Sequence, residues 1–161
     1  MKNKISQNNK KYTRAFSLIE ILIAIAIMLV IAGVSVTSLL NWRREKTIDS
    51  ASDIVLSVLQ GARNLTVNAY QGNQYGVYFG ENDRVISFTG TTYNPSDVSN
   101  IVTLLPAGEI ISTSTLGTTI VFQKFSGGVL GSGSVAISDK NNASTTRTIL
   151  IDISGAVSQK K

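Results

Sequence analysis

The chain of 161 residues contains no cysteine and no histidine. Without cysteine it forms no disulfide, so its folded part must be held together by packing. The two absences also exclude zinc sites built from His and Cys, and nucleophilic triads that need a histidine base. The carboxylates of the second half match no motif spacing; they are Asp83, Asp97, Glu109, Asp139 and Asp152. The sequence therefore predicts a protein that is not an enzyme and that uses no cofactor or metal.

The positive charge is concentrated at the amino terminus. The net charge is +5, and the first 15 residues contain five basic residues and no acidic one. The ten remaining basic residues equal the ten acidic residues in number, so the rest of the chain is close to neutral. A basic run before an apolar segment is typical of the cytoplasmic flank of a membrane segment. We interpret it in that way, and not as a nucleic-acid-binding region.

An apolar run covers residues 16–40 and contains one carboxylate, Glu20. About 25 residues are enough to span a bilayer as a helix. A charge in hydrocarbon costs about 2.5–3.5 kcal/mol, so Glu20 is predicted to have a function and a partner. Trp42, Arg43 and Arg44 follow the run and fit an interfacial belt. A secretory signal peptide is the alternative, but the length of the run and Glu20 both disfavour it.

The residues around the start of this run carry a family resemblance. Ala15-Phe16-Ser17-Leu18-Ile19-Glu20 resembles the cleavage site of type IV prepilins and type II secretion pseudopilins. That family usually has Gly where this chain has Ala15, and often Thr where it has Ser17. The resemblance implies that prepilin peptidase cuts between Ala15 and Phe16 and that the new amino terminus of Phe16 is N-methylated. It also implies that Glu20 serves filament assembly, by neutralising the Phe16 amine of a neighbouring subunit.

The helix is predicted to continue past the apolar run, over residues 17–70. Apolar residues recur at three- and four-residue steps beyond position 47, and polar residues fill much of the rest. The apolar positions are Ile48, Ala51, Val55, Val58, Leu59, Ala62, Leu65 and Ala69. Such a stripe needs a surface to cover it, which the rest of the chain supplies. Gly33 and Gly61 are expected to be tolerated within this helix.

The pattern after residue 72 predicts antiparallel strands separated by polar turns. The candidate strands are Tyr75–Phe79, Arg84–Phe88, Ile101–Leu105, Glu109–Ser112, Thr119–Gln123, Ser134–Ile137, Thr148–Ile153 and Ala156–Ser158. Turns are predicted at residues 81–83 and 154–155, and loops at 89–100, 126–133 and 139–146. The oxygen donors of residues 139–142 allow a calcium site, but they lack EF-hand spacing, and a plain polar turn is the preferred interpretation.

The body of the chain extends the resemblance. Leu59-Gln60-Gly61-Ala62-Arg63-Asn64 followed by Gly76-Val77-Tyr78-Phe79 resembles the helix-to-strand region of H-type pseudopilins and T-type minor pilins, the GspH/FimT family. Segments from Phe122 to Val157 resemble that family's carboxy-terminal half. The resemblance implies an α+β type IV pilin fold, in which one long helix packs on a small antiparallel β-sheet. Its parts would be a cleaved leader (1–15), a transmembrane or filament-core helix (16–42) and a soluble domain (43–161).

The predicted function is that of a minor pilin or pseudopilin, a non-enzymatic subunit of a type IV pilus or type II secretion pseudopilus. The implied partners are prepilin peptidase, other pilins, the inner-membrane assembly platform and, before assembly, membrane lipid. The precursor would cross the cytoplasmic membrane once, with its amino terminus inside, before it enters a periplasmic or extracellular filament. Two alternatives remain: a DNA-binding minor pilin of a transformation pilus, and a tethered β-domain that never polymerises. Candidate DNA contacts are Arg147, Lys160 and Lys161, although the neutral mature chain disfavours nucleic acid.

Overall fold

The computed structural model of the protein describes residues 16–80, 83–106, 109–140 and 142–160. The elements within these ranges are helix α1 (Leu18–Val67), a short 3-10 helix (Tyr70–Gly72), and strands β1 (Tyr75–Tyr78), β2 (Arg84–Thr89), β3 (Ile101–Leu104), β4 (Glu109–Ser114), β5 (Thr119–Val121), β6 (Gly133–Asp139), β7 (Asn142–Ile151) and β8 (Val157–Lys160). The predicted leader, Lys161 and part of the predicted turn at 81–83 lie outside the described residues. The chain divides into two compact units between Leu40 and Asn41.

The first unit contains the beginning of α1. The carbonyl of Ser17 accepts hydrogen bonds from the N–H groups of Glu20 (3.0 Å) and Ile21 (3.3 Å). Glu20 lies in the first turn, where the partial positive charge of the helix terminus favours a carboxylate. The large apolar side chains of this unit that the structure describes are exposed. Within the described part of the chain, no helical stretch is both long enough and apolar enough to cross a membrane.

The second unit is built around the other part of α1. Its apolar stripe is buried, with Ile48, Ala51, Val55 and Leu59 fully inaccessible to solvent, as the periodicity predicted. These residues share one core with Phe122, which follows β5, and with side chains from both β-sheets, among them Val77, Val85, Ile120, Val135, Ile137, Ile149 and Ile151. Burying a side chain of this size contributes about 1.5–3 kcal/mol. The helix therefore supplies the surface on which the strands are assembled.

The end of α1 is joined to the first strand by Thr66. This side chain is fully buried, and its hydroxyl donates to the carbonyl of Ala62 (2.8 Å). The same hydroxyl accepts a hydrogen bond from the N–H of Tyr75 (2.9 Å). Ala69 has a φ of 45°, which is the left-handed conformation that commonly ends helices. The connection from helix to sheet is consequently short and fixed in place.

The strands form two four-stranded sheets, whereas the sequence predicted one. Sheet 1 has the order β3-β2-β1-β5 and sheet 2 has the order β4-β6-β7-β8, with antiparallel pairing throughout. All eight predicted strands are confirmed, with ends that shift by a few residues. Strand periodicity shows which residues alternate between faces, but it does not specify which strands pair.

The predicted polar loop at residues 139–146 is wrong in extent. Strand β6 continues to Asp139 and β7 already begins at Asn142, so most of this segment is paired β-structure. Its threonines are β-branched, which favours an extended backbone, and polar side chains are compatible with a strand that faces solvent. The predicted loop at 89–100 is confirmed, and the predicted turn at 154–155 joins β7 to β8 with Gly155 at φ 75°.

The face of sheet 1 opposite the helix carries a small aromatic cluster. Tyr93, from the loop that follows β2, stacks on Tyr78 with ring centroids 3.9 Å apart and meets Phe88 edge-on at 5.7 Å. Phe88 is almost fully buried because Gly76 leaves room for its ring; a Cβ at that position would lie 2.4 Å from the ring. This cluster anchors the loop at residues 89–100 to the sheet.

Arg63 links α1 to two glycine-containing turns. Its Nη2 donates to the carbonyl of Ser154 at 3.4 Å, and its stem lies against Gly127 and Gly155. Both glycines have a positive φ, and a Cβ on Gly155 would lie 1.7 Å from the carbonyl oxygen of Gly127. These contacts give Arg63 a structural role at the junction of the helix and the two turns. The β7–β8 turn approaches the backbone of Gly127 this closely only because Gly155 has no side chain.

Replacing Gly155 by Ala is expected to destabilise the domain strongly, because the new Cβ would be strained by φ and would also collide with backbone. Gly117→Ala is the matched control, since Gly117 has a φ of 82° but open space around it. The control should lower the free energy of unfolding by about 1–2 kcal/mol, from the left-handed backbone alone. Gly155→Ala should lower it by at least roughly twice that amount. Thermal or urea unfolding of the two variants measures the difference. Equal losses would show that the close approach to Gly127 contributes nothing.

Candidate functional site

Phe16 and Glu20 lie at the amino-terminal end of the described chain. Phe16 lies two residues before α1, and Glu20, Ala24 and Met28 repeat within it at the spacing of one helix face. Together with Ile21 and Ile25 these side chains border a shallow, open cavity. Among the described residues, no basic group forms an ion pair with Glu20. The face therefore combines an apolar surface with a single carboxylate that has no cationic partner in the described chain.

This arrangement has a clear chemical consequence. A free amine on Phe16 would be a cation at the start of the same helix face as Glu20. A carboxylate and an ammonium that are both removed from water need each other, because breaking such a pair costs about 3–5 kcal/mol. The apolar residues around Glu20 could be covered by other helices or by lipid. The role predicted for Glu20 in assembly stays a prediction, and Ala15, on the other side of the predicted cut, lies outside the described residues.

The candidate DNA contacts are placed differently from one another. Arg147, on β7, donates from Nε to Oδ1 of Asp49 on α1 at 2.8 Å, and both side chains are partly buried. Lys160 is exposed at the end of β8, opposite Thr148 and therefore close to Arg147 along the sheet. Lys161 lies outside the described residues. The guanidinium of Arg147 is thus already committed to a structural ion pair, a partner that the sequence pattern did not indicate.

Three of the scattered carboxylates, Asp83, Asp97 and Asp152, have local partners. The side-chain hydrogen bond from Arg84 lowers the pKa of Asp83, and the pair lies at the surface. Backbone N–H groups lower the pKa of Asp97 through Ser99, and that of Asp152 through Ser154. Within the ranges that the structure describes, no group of three or more acidic side chains is arranged to hold a metal ion. Asp97 and Asp152 therefore stabilise turns through hydrogen bonds from backbone N–H groups.

Comparison with known proteins supports the interpretation of both parts of the chain. Residues 10–36 match the family model described as the prokaryotic N-terminal methylation motif. The fold is similar to that of the type IV minor pilin FimU of Pseudomonas aeruginosa, in two crystal forms. In one form the TM-score is 0.56 at 14% identity over 71% of this chain and 88% of that chain. In the other it is 0.56 at 14% identity, over 70% and 92%.

The chain carries a prokaryotic N-terminal methylation motif and has a fold like that of a type IV minor pilin. The motif supplies the amino-terminal signature, and the structural similarity shows that the second unit has the α+β fold of a type IV pilin. The predicted amino-terminal motif and type IV pilin fold are confirmed, whereas the GspH/FimT branch stays a prediction. No curated protein matches the sequence. Pilins are structural subunits, so the family and the fold also agree with the expectation of a protein that is not an enzyme.

Replacing Arg147 by Ala is expected to destabilise this pilin-like domain, because Asp49 would lose a partly buried partner. The loss should be about 1 kcal/mol, the upper end for pairs that retain some solvent. Lys160→Ala is the matched control and should leave stability unchanged, since Lys160 is exposed and has no ion pair with a described carboxylate. Chemical unfolding of the purified full chain measures both, and equal effects of the two substitutions would contradict the role assigned to Asp49.

Proposed function

We propose that this protein is a minor pilin or pseudopilin, cut by prepilin peptidase between Ala15 and Phe16 and assembled into a filament of a type IV pilus or a type II secretion pseudopilus. The observation that carries the proposal is the combination of a prepilin methylation motif with a domain of the type IV pilin fold. Either feature alone is weaker, because the motif covers only 27 residues and a fold can serve several functions.

The exposed amino-terminal part of α1 supports assembly. Large apolar side chains from Phe16 to Ile31 are half or more exposed, and an apolar surface of this extent requires cover by lipid or protein. We propose that lipid covers it in the precursor, with the amino terminus in the cytoplasm and the folded domain outside. In the filament, the same surfaces of neighbouring helices would cover one another, and some of these helices would belong to other pilins. The assembly platform would contribute to this transfer from lipid to filament.

Glu20 would set the register of this packing. An amine on Phe16 of one subunit and the carboxylate of Glu20 on its neighbour can both be buried only when they meet. Such a buried pair contributes more to specificity than to net stability, because its desolvation offsets much of the attraction. The pair would thus select one axial stagger among the many that apolar helices could adopt.

The two alternatives make different demands. A DNA-binding minor pilin needs several cations free to contact phosphate, and Arg147 is engaged by Asp49. A tethered domain that never polymerises needs neither cleavage nor Glu20. The structural subunit therefore remains the function that these observations support best.

Mass spectrometry of the protein from its native membrane is expected to show a chain that begins at Phe16 with a methyl group on its amine. A bulky side chain such as Leu at position 15 should prevent the cut, because the peptidase accepts a small residue there. Ala15→Gly is the matched control and should be processed at least as well as the natural sequence. Intact leader in cells with active prepilin peptidase would refute the proposal.

Glu20→Leu is expected to leave processing intact and to abolish incorporation into filaments. The Phe16 amine would be buried without its carboxylate, at a cost of about 3–5 kcal/mol. Glu20→Asp should give an intermediate amount, since it keeps the charge on a shorter side chain. The measurement is the ratio of the subunit in sheared filaments to that in membranes.

Glu45→Leu provides the control for that experiment, because it removes an exposed carboxylate from the same helix at a distance from the apolar face. It should leave incorporation unchanged. If Glu20→Leu enters filaments normally, the register must be set by something other than this charge pair.

A further inference from the structure

Two loops lie at opposite edges of sheet 1. The acidic loop (residues 94–100) leads into β3, and the cationic loop (residues 123–128) follows β5; these two strands are the edges of the sheet. Strand β1 is antiparallel to β2 and β5, and β2 is antiparallel to β3. The start of β3 and the end of β5 are therefore at the same end of the sheet, which places the two loops at one level on opposite sides.

The acidic loop presents a carboxylate beside an apolar side chain. Val98 at its tip is completely exposed (102%), and Asp97 precedes it. The loop is held by hydrogen bonds from Ser96 N–H to Asn94 Oδ1 (3.0 Å), from Ser99 N–H to Asp97 Oδ1 (2.8 Å) and from Asn100 Nδ2 to the Asn94 carbonyl (2.7 Å). Asp97 and Val98 are consequently a fixed projection, not a flexible one. The Ser99 N–H lowers the pKa of Asp97, so this projection is anionic at neutral pH.

The cationic loop presents the complementary chemistry. Phe125 is 71% exposed, and the ammonium of Lys124 lies 5.3 Å from its ring centroid. Lys124 Nζ also donates to the carbonyl of Gly72 (2.7 Å), and no carboxylate of the described chain forms an ion pair with it. On the other side of the loop, the side chain of Arg63 lies beside Gly127. A cation and an apolar ring thus stand together at the surface.

The backbone of Phe125 is held in an uncommon conformation. Its φ is 65°, a region that bulky residues rarely occupy and that persists only where the surroundings impose it. Here the surroundings are the hydrogen bonds from Gly127 N–H to the Gln123 carbonyl (2.8 Å) and from Gln123 N–H to the Gly128 carbonyl (2.7 Å). Packing does not account for this strain, since the ring is mostly in solvent. An exposed aromatic ring kept in a strained position indicates a surface used for recognition.

We propose that Asp97 and Val98 of one copy of this chain dock on Lys124 and Phe125 of a second copy beside it. The carboxylate would meet the ammonium, and the valine would cover the exposed ring. Copies placed side by side in one orientation bring the two loops together, because the loops lie at the same level on opposite edges. A two-fold axis that joined like loops would instead oppose charges of the same sign.

This contact is heterologous, so a docked pair keeps one unused acidic loop on one copy and one unused cationic loop on the other. Contacts of this type continue from copy to copy when they do not close into a ring. The inference deepens the proposed function by naming a contact between the folded domains, and it rests on assembly of copies in one orientation.

Cross-linking in the full-length protein tests the contact, and the absence of natural cysteine makes it specific. Val98→Cys is placed in one tagged copy and Phe125→Cys in a second copy with a different tag, and the two are produced together. Membranes and sheared filaments are then treated with a short bismaleimide cross-linker. A dimer that carries both tags is expected, and neither variant alone should give a dimer. Lys140→Cys, exposed at the β6–β7 turn, replaces Phe125→Cys as the control and should give none.

Charge reversal tests the chemistry in the same background. Asp97→Lys or Lys124→Glu alone should lower the cross-linking yield about two- to five-fold, as for an exposed ion pair. The two reversals together should restore the yield, and Lys140→Glu should not change it. Lys124→Gln keeps a hydrogen-bond donor for the Gly72 carbonyl but removes the charge, and it should also lower the cross-linking yield. It therefore distinguishes the loss of the ion pair from a folding defect.

The outcomes separate this contact from the proposed function. A subunit that enters filaments but gives no mixed dimer there refutes the contact and leaves the function standing. A mixed dimer in membranes from a subunit that never enters filaments supports the contact and contradicts the function. Three outcomes would each overturn the inference. Val98→Cys alone could give dimers, Phe125→Cys could cross-link only to a different protein, or the yield could be insensitive to both charge reversals.

Discussion

The packing of one helix stripe against two sheets is the interaction on which the rest of the folded domain depends. Ile48, Ala51, Val55 and Leu59 are fully buried, and the core that they enter includes strands of both sheets. A chain without disulfides has no covalent alternative to this packing. Removal of the helix would leave two small sheets with their apolar faces uncovered, so the helix and the strands form one cooperative unit. The turns around Arg63, the Thr66 link and the Arg147–Asp49 ion pair all fasten strands to this same helix.

Helix α1 combines two kinds of apolar surface in one element. The surface beyond residue 47 is narrow and is covered by the chain's own strands, whereas the described side chains near the amino terminus are exposed around the helix. Folding covers the first kind of surface with the chain's own strands, whereas the second kind must be covered by lipid or by other helices. Folding and assembly can therefore be separated: substitutions in the strands should act on stability, and substitutions near Glu20 should act on association.

The loops at the edges of sheet 1 show how a neutral domain can still be electrostatically specific. The acidic and basic residues of positions 16–161 are equal in number, yet Asp97 and Lys124 lie in loops at opposite edges of the sheet. Such a distribution gives little attraction for nucleic acid, because binding to its phosphates requires many clustered cations. It favours contacts between domains that present unlike edges to one another. The anchoring of the acidic loop by Tyr93, and of the cationic loop by Lys124 and the glycine turns, makes both edges rigid enough for such contacts.

The sequence by itself determined the elements and the chemistry of the amino terminus. Apolar residues that recur every three and four positions defined the helix, and alternating apolar and polar residues located eight strands. The residues around Phe16 and Glu20 carried the family resemblance. All of these are local properties of the chain. Only the tertiary structure decided that the strands form two sheets, that Arg147 pairs with Asp49 and that β7 begins at Asn142. It also decided that Asp97 and Lys124 lie at one level on opposite edges. These features depend on pairings between residues far apart in sequence, which periodicity and local propensity do not specify.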